Sequence, residues 1–328
     1  MIMRLVAGSG RSGTTWVLDA LAAANKLRPV FEPLHPLVSR EGQLFAHRAL
    51  AADEEQPDLR HFLDAAIFRG HCALWTKYRK LGHWLAPSPS ELMTLRGVGQ
   101  LYRRWKKLLQ DAPRLAIAGV RSEPLVKCIY ANLMLGWLSQ QYDFRIVLIV
   151  RHPGAVIESE MRGGWNSAVA LERYRADSQL SALTNNRYAS LLMRSLNPVE
   201  GLAVRWVIEN QVALEEAARR NFAVAHYERL KHSPEVEWKA ICRAMELPRV
   251  PNQKMISRPS QQSAAVSSAA CDESVDFPRW MTALSVAQQE QIQCVLDEAG
   301  FDLYTMESAS PRSHQAIAAE DAAARAIR

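Results

Sequence analysis

The sequence lacks any apolar run of the roughly 18–20 residues that a membrane-spanning helix needs. Its longest strongly aliphatic stretch is Ile146 to Val150, and its start, MIMRLVAGSG, has neither a secretory apolar core nor a cleavage site. A soluble, cytoplasmic chain is expected, which leaves room for peripheral contact with a membrane. Cysteine is scarce as well. The five cysteines (Cys72, Cys128, Cys242, Cys271, Cys294) are odd in number, far apart and without a CxxC pair, which argues against a disulfide framework and a structural zinc site. Reduced thiols and no bound metal are expected. With 48% apolar and 23% charged residues, a disordered, collagen-like or coiled-coil chain is excluded. The formal charge of +6 suits an anionic ligand but falls short of a nucleic-acid-binding signature, so no nucleic-acid partner is expected. The basic stretch Arg96 to Lys107 reads as a solvated helix face.

What is there, in 328 residues, is an alternation of short apolar runs and helical patterns. Met3 to Ala7 reads as a strand, the glycine-rich stretch after it as a loop, and Trp16, Val17, Ala20, Leu21 and Ala24 recur at helical spacing. Arg28 to Phe31 is a second strand that ends at Glu32-Pro33. Leu125–Cys128 and Arg145–Val150 are uniformly apolar, as parallel strands covered on both faces must be, and Phe222–Tyr227 is a further candidate. Leu202, Trp206, Ala213 and Ala217 mark one helix, and Ser233-Pro234-Glu235 opens another, with the serine as N-cap and the proline at the first helical position. The expectation is a single α/β domain over residues 1–328, of three-layer phosphate-loop type around a central parallel sheet. Residues 37–120 read as a mostly helical insertion or cap, and 308–328 as a frayed or disordered tail.

Gly8-Ser9-Gly10-Arg11-Ser12-Gly13-Thr14-Thr15 lies between strand and helix, where backbone N–H groups and the helix dipole hold phosphate. Its spacing nearly fits GxxxxGK[ST], but Thr14 stands where the lysine should be. Nucleotide-triphosphate hydrolysis is thereby disfavoured, and Arg11 supplies a cation two residues earlier instead.

GSGRSGTTW resembles the 5′-phosphosulfate loop of sulfotransferases that use 3′-phosphoadenosine 5′-phosphosulfate (PAPS). The stretch from Arg145 to Ser159, RIVLIVRHPGAVIES, is similar to that family's second cofactor motif, with a serine eight residues after the arginine. The resemblance implies that Gly10, Arg11, Ser12, Gly13, Thr14 and Thr15 hold the 5′ side of PAPS and that Arg151 and Ser159 hold its 3′-phosphate. Physically, an arginine fork and a hydroxyl suit one anion. HYERLKHSPEVEWKAICRAMELP and SRPSQQS followed by RWMTALSVAQQEQIQ resemble later blocks of the family. Phe31-Glu32-Pro33-Leu34-His35 resembles the segment of glycan 6-O-sulfotransferases whose glutamate deprotonates the acceptor. Glu32 is therefore expected as the base, with His35 as its rival because sulfotransferases of phenols and steroids use a histidine. Arg11 is expected to neutralise the departing phosphate, and Lys127, at the end of PLVKC, to hold the transferring sulfuryl oxygens.

The resulting expectation is sulfuryl transfer from PAPS, without a metal, to a hydroxyl on a carbohydrate or glycolipid acceptor. Two alternatives stand beside it: a phosphate-loop nucleotide kinase or NTPase, and a phosphonucleotide-binding protein without turnover.

Overall fold

The computed structural model describes residues 2–36, 40–68, 123–257 and 278–312. Five parallel strands form one sheet in the order β2-β3-β1-β4-β5: β1 Met3–Ala7, β2 Arg28–Phe31, β3 Pro124–Cys128, β4 Phe144–Val150 and β5 Ala223–His226. The helices around it include α1 Thr14–Asn25, α2 Arg40–Phe45, α3 Pro57–Phe68, α4 Leu135–Tyr142, α5 Pro153–Arg162, α6 Ala168–Ala176, α7 Pro198–Arg220, α8 Pro234–Ala244 and α9 Val286–Glu298. All five expected strands are present, with their ends shifted by a residue or less.

Both faces of the sheet are buried, which is why the strands read as continuous apolar runs rather than alternating ones. Successive side chains still point to opposite faces. Val6, Val147 and Ile149 join Trp16, Leu21, Trp238 and Ile241 of α1 and α8 in one core. Leu5, Ile146, Leu148 and Val150 join Trp137, Leu202, Trp206 and Leu296 of α4, α7 and α9 in the other. The result is a three-layer α/β fold. Within the stretch read as an insertion, α2 and α3 bury Phe45, Leu59, Leu63 and Ile67 in that second core. Residues 69–122 lie outside the described residues, as do 258–277, with most of the SRPSQQS block, and 313–328.

Two helix starts differ in how their first amides are satisfied. Asn197 caps α7 with a capping box: its side chain accepts from Val199 N and Glu200 N at 2.9 and 3.0 Å, and the Glu200 carboxylate accepts from Asn197 N at 2.9 Å. Ser233 does precede Pro234 at the first position of α8, but its side chain makes no capping hydrogen bond. Its backbone N–H closes the preceding helical turn on Arg229 O at 2.8 Å, so it ends one helix as the next begins.

The chain leaves β1 to build β2 and β3 on one side, then crosses back to build β4 and β5 on the other. The carboxyl end of β1 is thus the topological switch point, the place where open α/β sheets form a ligand crevice.

Candidate functional site

The loop from Gly8 to Gly13 occupies that switch point. Gly13 is the N-cap of α1, has φ 93° and offers no capping side chain. A side chain there would be strained, and a Cβ would come within 2.6 Å of the Tyr227 ring. At Gly10 a Cβ would come within 2.6 Å of the Trp165 ring, so two aromatic rings press directly on the loop backbone. Gly8 N donates to Asn132 Oδ1 at 3.2 Å, and Ser12 Oγ donates to Ser9 O at 2.7 Å. Thr14 and Thr15 are buried in the first turn of α1. Among the described residues, Ser9 Oγ and Asn132 Nδ2 are buried beside this loop with no hydrogen-bond partner. Donors left open at a helix N-terminus are what an anion completes.

The cations expected from the two motifs meet here. Ser159 Oγ accepts from Arg11 Nε at 2.8 Å, and Arg151 Nη1 donates to Arg11 O at 3.1 Å. Arg151 also lays its guanidinium 4.3 Å from the centre of the Tyr227 ring. Burial, then the nearby charges of Arg151 and Arg162, lowers the pKa of Arg11, with Glu160 and Glu158 opposing. Cations held this close in a half-buried site are a setting that would favour a bound dianion.

Glu32 and Lys127 are brought together at the ends of β2 and β3. Lys127 Nζ is ion-paired with Glu32 Oε1, both residues are almost wholly buried, and the ammonium lies 4.6 Å from the Phe31 ring centre. Glu32 Oε2 accepts from Ile129 N at 2.9 Å. The sequence reading makes Glu32 the base, facing the loop, and Lys127 the holder of the sulfuryl oxygens; in the fold the two are paired with each other. His35 is half-buried, with its backbone N–H on Glu32 O at 3.1 Å and its ring edge-on to Tyr130 at 5.3 Å.

Beyond Tyr130 runs a polar cluster that no sequence motif announces. His47 N donates to Tyr130 O at 3.3 Å, and the two rings meet edge-on at 5.0 Å. His47 Nδ1 lies 2.8 Å from Glu209 Oε1, which also accepts from Tyr174 Oη at 2.9 Å. Burial pushes Glu209 up, but the hydrogen bond and charge of His47, the charge of Arg205 and the Tyr174 hydroxyl outweigh it and hold the carboxyl below its ordinary value. One helical turn before Glu209 on α7, Arg205 pairs with the fully buried Glu160 of α5. Burial, against the opposing charge of Arg205, raises Glu160 to about 7. A Cβ on Gly10 would sit 3.3 Å from Glu160 Oε1, so this carboxylate faces the loop. Only the position of Glu160 directly after Ser159 could have drawn notice in the sequence.

Four other residues are sorted by the fold. His152 caps α5, its Nδ1 accepting from Gly154 N at 3.1 Å, and stacks 4.3 Å from Trp280. Burial lowers it to about 4. Trp206 and Trp280 are core residues, whereas Trp165 covers the loop. Among the described residues there is no cluster of side chains suited to a metal ion, no helix is long and apolar enough to cross a membrane, and Cys128, Cys242 and Cys294 are free.

No family model and no curated protein matches the chain. Solved structures to which it is similar include the following. The sulfotransferase domain from the Synechococcus PCC 7002 olefin synthase is 17% identical over 93% of this chain and 96% of that one, with a TM-score of 0.40. The sulfotransferase domain from the curacin biosynthetic pathway is 13% identical over 93% and 99%, TM-score 0.40. Sulfotransferase STF9 from Mycobacterium avium is 16% identical over 93% and 78%, TM-score 0.37.

Proposed function

We propose that this chain is a sulfotransferase that moves a sulfuryl group from PAPS to a hydroxyl of a carbohydrate or glycolipid. The observation that carries the reading is the meeting of Arg11, Ser159 and Arg151 across about 140 residues of sequence, at the mouth of a loop without the NTPase lysine. Open donors at Ser9 and Asn132 fit an anionic ligand in the same place. Bound there, PAPS would supply an activated sulfuryl group on a phosphate leaving group.

In this reading the residues Gly10 to Thr15 hold the 5′ end through backbone N–H groups and hydroxyls, and Arg11 offsets charge on the departing phosphate. Arg151 and Ser159 receive the 3′-phosphate. Glu32, expected from the sequence as the base, anchors Lys127 at the sulfuryl side through their buried ion pair. None of these roles requires a metal.

Calorimetry tests the donor: 3′,5′-adenosine bisphosphate should bind more tightly than ATP with magnesium, and the reverse, with magnesium-dependent hydrolysis, would favour a kinase or NTPase. Transfer of labelled sulfate from PAPS to a hydroxyl-bearing glycan extract tests the reaction. Binding of the bisphosphate without any transfer would instead favour a phosphonucleotide-binding protein.

A further inference from the structure

We infer that Trp165 is the plate on which the acceptor's sugar ring lies, an assignment that rests on the sulfuryl-transfer reading. Its place follows from how α5 ends. Gly164 N donates to Met161 O at 3.0 Å and Trp165 N to Glu160 O at 2.9 Å. This pair of bonds closes the helix as a Schellman motif, which needs a left-handed residue just before the chain turns back. Gly164, with φ 68° and nothing within 4 Å of where a Cβ would be, is that residue. The apolar residue after such a turn commonly packs on the last helical turn. The six-membered ring of Trp165 also reaches the loop: a Cβ on Gly10 would lie 2.6 Å from its Cζ3 and 3.2 Å from its Cη2. Only a glycine lets the indole come so near.

The end of α5 thus fixes two things against the loop. Ser159 accepts from Arg11 Nε at 2.8 Å, and the indole lies on the neighbouring Gly10. A tryptophan that serves packing alone is buried, as Trp137, Trp206, Trp238 and Trp280 are, each at 1% exposure or less. Trp165 keeps 38% of its surface open. The groups set around it are charged: those of Arg151, Arg162, Glu160 and Glu158 act on Arg11, and Glu160 Oε1 lies 3.3 Å from the same Gly10 Cβ position.

One apolar plate rimmed by charge is a poor seat for a wholly apolar acceptor, which gains affinity by burying most of its surface in an apolar pocket. It suits a pyranose. The C–H face of such a ring is apolar and lies flat on an aromatic system, while the hydroxyls at its rim bond to charged and polar side chains. Seated on the indole, the sugar lies beside Gly10 and Arg11, the part of the loop from which, in the sulfuryl-transfer reading, the sulfuryl group departs.

The test begins without PAPS. In the full-length protein labelled with 5-fluorotryptophan, the fluorine signal lost in Trp165→Phe should shift as methyl glucoside or methyl galactoside is added. It should stay in place with sorbitol, which offers hydroxyls without a ring face. Transfer from labelled PAPS is then followed with these three acceptors and a hexosyl ceramide. Trp165→Ala should raise KM for the sugars about tenfold and Trp165→Phe about threefold, while kcat, KM for sorbitol and the affinity for 3′,5′-adenosine bisphosphate change less than about twofold. A merely structural loss would weaken bisphosphate and act on sorbitol alike. Transfer to the sugars with neither a fluorine shift nor a change in KM would overturn only this assignment. So would a loss of bisphosphate affinity as large as the rise in KM, which would make Trp165 a donor contact. A wild type that leaves bisphosphate unbound, or transfers from PAPS to none of the four acceptors, would overturn the sulfuryl-transfer reading and this assignment with it.

Discussion

The two sides of the switch-point crevice are built on opposite electrostatic plans. On the β4 side, Arg11 and Arg151 stand together half-buried, with Arg162 nearby on Glu158. On the β3 side the buried charges around the crevice are paired with one another: Lys127 with Glu32 and Glu209 with His47, and Arg205 reaches across to Glu160. In the sulfuryl-transfer reading the first side is a ligand site, and the protein's stability should improve when it is filled. The second is an internally neutral scaffold, whose members hold one another in place and should tolerate change poorly. Substitutions should therefore affect binding on one side and folding on the other.

The largest effect should come from the scaffold. Lys127→Met leaves the Glu32 carboxylate buried beside a single backbone amide, and losing one partner of a buried pair costs about 3–5 kcal/mol. Urea denaturation should show that loss. The double variant Lys127→Met with Glu32→Gln should recover most of it, because two neutral groups need no counter-charge. If the single variant loses less than about 1 kcal/mol, the value typical of exposed pairs, the two sides do not differ in this way.

A second effect separates the two ends of α5 by pH. The native state holds Glu160 protonated up to about 7, whereas an ordinary carboxylate releases its proton near 4.5. The folded form therefore binds more protons in that window, and this residue makes stability fall as pH rises from about 4.5 to 7, by roughly 3 kcal/mol in all. His152 acts in the opposite sense: its native value of about 4 against an ordinary 6.5 means that stability is lost as pH falls through that range. The two slopes oppose each other in the wild type. Glu160→Gln should expose the His152 slope, so that stability measured between pH 4.5 and 6.5 climbs more steeply with pH than in the wild type. An unchanged slope would mean that Glu160 is ionised throughout.

The same division explains what could be read from the sequence. The loop sits in a local pattern, strand then loop then helix, legible from spacing within a few residues, and Arg151 and Ser159 stand out through the resemblance of their motif. All five strands were legible for the same reason. The β3 side holds the pairs of residues 32 with 127 and 47 with 209, which meet only after the sheet order has been set, and no local period marks them. His47 lies in an unremarkable stretch, and Glu209 sits inside a helix where a glutamate is ordinarily a solvated residue. The pairing of Glu32 with Lys127 required knowing that β2 and β3 are neighbours, register Phe31 to Lys127, although 95 residues separate the pair.

On the ligand side the effect should appear in binding. Arg151→Ala should weaken 3′,5′-adenosine bisphosphate relative to adenosine 5′-phosphate by about 1.5–3 kcal/mol, the cost of one charge-assisted contact. Stability should change little, since Arg151 packs on Tyr227 from a half-buried position. Equal weakening of both nucleotides would show that Arg151 does not read the 3′ group.

Ser159→Ala should give the smallest effect and the finest distinction. Its hydroxyl is a neutral partner, so the bisphosphate should lose only about 0.5–1.5 kcal/mol. The hydroxyl also accepts from Arg11 Nε, and its removal frees that guanidinium to seek another acceptor. The carboxylates whose charges already act on Arg11 are those of Glu160 and Glu158. An Arg11 drawn toward them would be withdrawn from the loop, and adenosine 5′-phosphate would then weaken alongside the bisphosphate. If Ser159 acts on the 3′ group alone, only the bisphosphate weakens. Titrating both nucleotides against Ser159→Ala and Arg11→Ala, singly and together, separates the cases: additive losses mean two independent contacts, and a double variant no worse than Arg11→Ala means that Ser159 works by holding Arg11 in place.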